Sequence, residues 1–212
     1  MRKADGKGVP VKRLILLLAL IVAACGAGAS TPTVMEGDIL FQTSLSSQSR
    51  AIQLATGSKY SHMGLIILRN GKPYVFEAEA TTRYTPLSRW IARGSGHHYV
   101  VKRLVDADRT LTADALQRLE SSAKHFEGRP YDAVFEWSDD RMYCSELVWK
   151  AYKNALGLEI GSLQHIRDFN LSNPIVQSKM RERYGDHIPL DEPVISPAAM
   201  FQSPLLVTVA RD

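Results

Sequence analysis

Cys144 stands where a helical pattern begins, in Tyr143-Cys144-Ser145-Glu146-Leu147-Val148. The unpaired N–H groups at a helix start favour an anion, and the thiolate is the nucleophilic form of cysteine. A histidine beside such a thiol acts as general base and later returns a proton to the leaving group. His62 is the candidate, because it opens a β-rich run with Gly64 two positions on. Each residue also has a plain structural reading: a buried cysteine often packs as a small inert side chain, and a histidine can sit in a core or on a surface without chemistry. His97-His98, in a loop flanked by glycine and serine, carries no pattern, and no metal-ligand spacing of the His-Glu-x-x-His kind occurs.

Asn70-Gly71 is a strong two-residue hairpin signal. With that turn, Arg69 pairs with Lys72, and Gly64 falls opposite Glu77. Alternation then places His62, Gly64, Glu77 and Glu79 on one face. Glu77 lies diagonal to His62, within side-chain reach, and Gly64 is expected to leave room there. A carboxylate so placed fixes the imidazole tautomer and stabilises the imidazolium, as the third member of a triad does. Glu79 fits the same face and is its direct rival. Both acids can equally be solvent-facing residues of a half-exposed sheet.

The elements that must position these groups are legible in outline. Ile39-Leu40-Phe41 predicts a short strand, and Ser44–Ser49 opens a helix through about Ala55 that Gly57 ends. Met63–Leu68 and Tyr74–Ala78 form the hairpin, and 99–104 predict another strand. Thr112 caps a helix to about Phe126, with Ala115, Leu116, Leu119 and Ala123 at helical spacing. The helix from Cys144 carries Leu147, Val148, Ala151, Tyr152 and Ala155 and stops at Gly157. The proline-bearing tail predicts irregular chain and a last strand at 205–209. The pattern is α+β, an antiparallel sheet with packed helices.

The N-terminus is built differently. Residues 1–24 hold five basic residues and one acidic, so the net charge of +4 belongs to them, and the rest balances at 21 basic and 21 acidic. A nucleic-acid partner is therefore not indicated, since that needs a basic patch on the folded domain. Lys12-Arg13 precedes an apolar run, Leu14–Ala24, about half the length that spans a bilayer. It fits a signal peptide over 1–24. Val22-Ala23-Ala24-Cys25 resembles a bacterial lipobox, with Cys25 as the lipidated residue after cleavage; an ordinary signal peptide cut nearby and a plain membrane anchor are the alternatives. Residues 25–35 predict a tether, and 36–212 the domain. A lipidated Cys25 leaves Cys144 as a free thiol in an oxidising compartment; a Cys25–Cys144 disulfide is the other possibility.

Four segments, in order, resemble a known family: Gly37-Asp38-Ile39-Leu40, Ser61-His62-Met63-Gly64, Phe76-Glu77-Ala78 and Tyr143-Cys144-Ser145-Glu146-Leu147-Val148. They are similar to the YiiX/YaeF-like permuted papain-like amidases of the NlpC/P60 group, in which the histidine strand precedes the cysteine helix. The resemblance covers about residues 36–160; residues 161–212 match nothing. It implies a papain-like, circularly permuted NlpC/P60 fold, Cys144 as nucleophile, His62 as base, Glu77 as third residue, and Tyr143 and Tyr60 lining the substrate site. It also implies a cysteine amidase or peptidase that needs no cofactor and acts on amide bonds of envelope peptides or related molecules. A lipid acyl hydrolase or acyltransferase is the alternative within this chemistry, and a non-catalytic envelope binding lipoprotein is the alternative outside it. The expected address is the bacterial envelope, attached to the membrane through the N-terminal lipid. Gly26 after Cys25 points to the outer membrane, on its periplasmic side.

Overall fold

The computed structural model describes residues 33–212. The expected signal peptide, the Cys25 lipidation site and most of the tether lie outside the described residues. The strands are β1 Ile39–Ser44, β2 His62–Arg69, β3 Lys72–Ala78, β4 Thr82–Pro86, β5 Gly94–Leu104, β6 Gln164–His165, β7 Pro193–Val194 and β8 Leu206–Arg211. Six form one antiparallel sheet in the order β4-β3-β2-β1-β5-β8, while β6 and β7 pair separately. The helices are α1 Ser49–Thr56, α2 Leu87–Ala92, α3 Ala107–Thr110, α4 Ala113–His125, α5 Cys144–Leu156, α6 Pro174–Tyr184 and α7 Pro197–Phe201. The architecture is α+β, as the sequence pattern predicts.

The hairpin register is the predicted one: Leu65 opposes Phe76 and Arg69 opposes Lys72. Both faces of the central strands are covered. On one face Phe41, Met63, Leu65 and Phe76 pack with Leu119 of α4 and Leu147, Val148 and Tyr152 of α5. On the other, Leu40, Ile66, Val75 and Val101 pack with Leu87 and Trp90 of α2. This explains the unbroken apolar run Leu65-Ile66-Ile67, which a one-sided sheet would interrupt with polar residues. Each large side chain so buried contributes about 1.5–3 kcal/mol. It also removes the half-exposed sheet on which Glu77 would face solvent.

Two polar clips fix the start of β1 against the core. Asp38, fully buried, accepts two bonds from Arg103 at 2.7 and 2.8 Å. The Tyr152 hydroxyl of α5 donates to the Gly37 carbonyl. Thus the Gly37-Asp38 segment ties β1 to β5 and to the helix that begins at Cys144.

The fold departs from expectation in several places. Residues 82–92, for which no element is predicted, form β4 and α2. The expected strand at 99–104 begins earlier, at Gly94. The tail expected to be irregular contains α6, started by Asn173, whose side chain accepts the Ile175 N–H at 3.0 Å, with Pro174 in the first turn. Asn-Pro is a recognisable helix start. What hid α6 is its weak apolar stripe: Val176 and Met180 are buried, while Ile175 is exposed. Val176 and Met180 pack with Ile166 and Val194 against Leu54 and Ala55 of α1, so the tail forms a wall beside α1.

Candidate active site

Cys144, the first residue of α5, meets His62, the first residue of β2. Both are buried, 4% and 8% exposed, and Cys144 is a free thiol. His62 Nε2 lies 2.6 Å from Glu77 Oε2, so the other ring nitrogen is the one left to serve the thiol. The ring stacks on Trp90, with centroids 6.0 Å apart and planes at 28°. Burial alone would discourage a charge on His62. Hydrogen bonding to Cys144 and Glu77, together with their negative charge, outweighs burial and raises its pKa to about 9. The imidazolium is therefore the form this pocket favours near neutral pH.

Glu77 is fully buried. It takes three donors: His62, Thr85 Oγ1 at 2.6 Å, and Arg93. Burial pushes its pKa up, but the bond and charge of His62, the charge of Arg93 and the Thr85 bond outweigh that and hold it below the usual value. Glu79, the rival, lies one residue past the end of β3. Its side chain is 48% exposed and pairs with Arg83 and Arg93. Gly64 does not leave open space, as expected, but allows close packing. A Cβ there would stand 2.3 Å from Val75 Cγ1, 2.9 Å from the Phe76 carbonyl and 3.3 Å from Glu77 Cβ.

The first intrahelical bond of α5 runs from Leu147 N–H to the Tyr143 carbonyl. The N–H groups of Cys144 and Ser145 precede it, which is the arrangement that meets a developing oxyanion. Tyr131 lines the same cavity as Cys144. Its oxygen accepts from Gln48 Nε2 at 2.5 Å, and Arg183 fixes Gln48 by donating to its Oε1. Among the described residues no acceptor takes the Tyr131 hydroxyl proton. Burial first, and then the nearby Cys144 charge, push the phenol pKa up, so it remains a donor.

Two cavities flank this centre, and Tyr131 lines both. One, of about 640 Å³ including its mouth, is wholly apolar in its exposed lining. Cys144, Tyr143 and Tyr131 line it together with Phe169, Val176 and Met180 of the tail. The other lies on the His62 side and is lined by Ser44, Ser46, Gln48, Glu79 and Arg93. The tail is pinned to the cysteine helix at Ile195, whose N–H donates to Tyr143 Oη at 3.1 Å and whose carbonyl accepts from Ser145 Oγ at 2.7 Å.

Residues 33–210 match the family described as permuted papain-like amidase, YaeF/YiiX type, of the C92 peptidases. The chain belongs to this family. The chain is also 50% identical to the uncharacterized protein YiiX of Escherichia coli K12, over 95% of this chain and 97% of that one. A crystal structure described as metalloprotein yiiX of Escherichia coli O157:H7 superposes with a TM-score of 0.81 at 54% identity, covering 86% of this chain and 99% of that one. Among the described residues, no group of three or more His, Cys, Asp or Glu side chains stands together to hold a metal.

Of the site residues expected from the sequence, Cys144, His62, Glu77 and Tyr143 come together in the fold. Tyr60 stands apart: it stacks on Phe201 at 4.2 Å, meets Phe41 edge-on at 6.0 Å, and lines neither flanking cavity. Sequence reasoning missed Trp90, Arg93 and Tyr131. Tyr131-Asp132 follows Gly128-Arg129-Pro130, a break after α4, and polar residues on such connections often serve function. Trp90 and Arg93 had no comparable signal, because their role depends on how α2 folds back over the sheet.

Proposed function

We propose that the protein is a thiol hydrolase that cleaves amide bonds of cell-envelope peptides or related molecules through a thioester on Cys144. The observation that carries this reading is the buried line of side chains from Cys144 to His62 to Glu77. Cys144 Sγ attacks the carbonyl carbon, a C–S bond forms, and the carbonyl π electrons move onto oxygen. The N–H groups at the start of α5 and the Tyr131 hydroxyl stabilise that oxyanion. As the oxyanion collapses, the C–N bond breaks and His62 gives its proton to the departing amine. Water, deprotonated by His62, then attacks the thioester, and the acid leaves as Cys144 returns to thiolate. Glu77 holds the imidazole orientation throughout and stabilises its charged form.

A second reading is favoured by the apolar cavity beside Cys144, which suits an acyl chain on the carbonyl side. In that case the same chemistry acts on an acyl lipid. Attachment to the envelope through a lipid on Cys25 belongs to this proposal; a mature protein beginning at Cys25 and carrying acyl mass is the expected finding. The test of function is to incubate the purified protein, with Cys144→Ala as control, on peptidoglycan fragments and on acyl lipids. Cys144-dependent release of an amine or a fatty acid supports the thiol hydrolase and chooses its substrate. Turnover that survives Cys144→Ala would exclude Cys144 as the nucleophile, and none on either class favours a binding module.

A further inference from the structure

Arg93 follows α2 directly and precedes Gly94, the first residue of β5. Its guanidinium reaches back to the site. One arm donates to Glu77 Oε2, the same oxygen that holds His62 Nε2, and the other lies 3.6 Å from Glu79. The side chain is 31% exposed and lines the cavity on the His62 side. A fully buried carboxylate with an imidazole as its sole cationic partner would lose its charge whenever that imidazole lost its proton. Arg93 supplies a cation that does not titrate.

We propose that Arg93 is a positioning residue of the thiol site, keeping Glu77 ionised and aimed at His62 whatever the protonation state of the imidazole. This rests on the thiol-hydrolase reading of Cys144. The groups facing Glu77 are His62 from β2, Thr85 from β4 and Arg93 after α2. Arg83, its cross-strand neighbour, is drawn to Glu79 instead. Cys144 acts on Glu77 only through His62. Arg93 is therefore the one permanent cation on this carboxylate among the described residues. Without it, protonating Glu77 removes the support of the imidazolium, and the thiolate of Cys144 loses its counter-ion in turn.

The test is the rate of iodoacetamide alkylation of Cys144 in the native protein across pH 5–10. Wild type, Arg93→Met, Arg93→Lys, Glu77→Gln and the Arg93→Met/Glu77→Gln double variant are compared. In Arg93→Met the midpoint of the profile moves up by about one pH unit, a fall of about tenfold in rate below it. Arg93→Lys, which keeps a cation, restores most of the rate and keeps the test usable if Arg93→Met does not fold. In the Glu77→Gln background Arg93→Met adds little, because its effect passes through Glu77. A wild-type profile in Arg93→Met, a uniform loss without movement of the midpoint, or full additivity with Glu77→Gln would overturn the assignment. If wild-type Cys144 reacts no faster than a small-molecule thiol, the thiol-hydrolase reading fails and the role of Arg93 fails with it. A fast wild type with an unchanged Arg93→Met sinks the Arg93 assignment alone.

Discussion

Replacing Glu77 by glutamine separates the two carboxylates that share the His62 end of the hairpin. Glu77 accepts from His62, Thr85 and Arg93 while fully buried. Glutamine has one acceptor oxygen and presents N–H donors in place of the other, so at least one of those three donors faces a donor. The lost interaction with the imidazolium is a charge-assisted hydrogen bond, about 1.5–3 kcal/mol. At about 1.4 kcal/mol per decade, the charged Cys144–His62 pair becomes about 10- to 150-fold less populated. The alkylation rate of Cys144 at pH 7 should fall by that factor. Turnover should fall by about 10²–10⁴, the scale seen when a triad loses its orienting acid. Glu79→Gln breaks only half-exposed pairs worth about 0–1 kcal/mol, and its alkylation rate should change by less than about fivefold. Rates are compared at matched distance below each variant's melting temperature, so that unfolding is not mistaken for chemistry. Wild-type alkylation in Glu77→Gln would refute the reasoning, as would a larger loss in Glu79→Gln.

Other consequences can be checked in the same protein. His62 titrates at about 9 in the fold and near 6.5 when unfolded. Its stabilisation is therefore full below about pH 6.5 and lost as pH rises through 9, at most on the order of 3 kcal/mol. Urea denaturation from pH 6 to 10 should show that decline, and Cys144→Ala should move its upper end to lower pH. Gly64→Ala must push Val75, Phe76 and Glu77 away from a Cβ that has no room. We expect a loss of about 1–3 kcal/mol in chemical denaturation, with slower Cys144 alkylation because Glu77 moves; unchanged stability would mean that the hairpin is looser than described. Tyr131→Phe removes one oxyanion donor and should lower turnover by about 10²–10³. Cys144 alkylation, which forms no oxyanion, should stay near wild type, and equal loss in both assays would assign Tyr131 a structural role.

The central hairpin was legible because its turn chemistry and its alternation agree. Asn70-Gly71 sets the pairing, and the pairing carries Glu77 to His62 with no tertiary information. Helix α5 was legible at both ends, from the pattern after Cys144 to Gly157. The choice between Glu77 and Glu79 was not, because period-2 reasoning continues past the last paired residue. The sheet ends at Ala78, and only the folded chain shows that Glu79 has left it. Burial of Glu77 was equally hidden, since it requires α2 over the second face of the sheet, and no pattern in Leu87–Ala92 announces where that short helix docks. The apolar cavity is assembled from α1, the start of α5 and the tail. Its residues run from Ile52 to Pro197 in the sequence and share no local signature.

The central claim is that Cys144, served by His62, forms a covalent thioester. The direct measurement is intact mass of the native protein after brief exposure to an activated long-chain acyl ester. We predict one acyl addition, mapped to Cys144, removed by hydroxylamine, absent in Cys144→Ala and slowed in His62→Ala. No adduct, or labelling that persists in Cys144→Ala, would contradict the account.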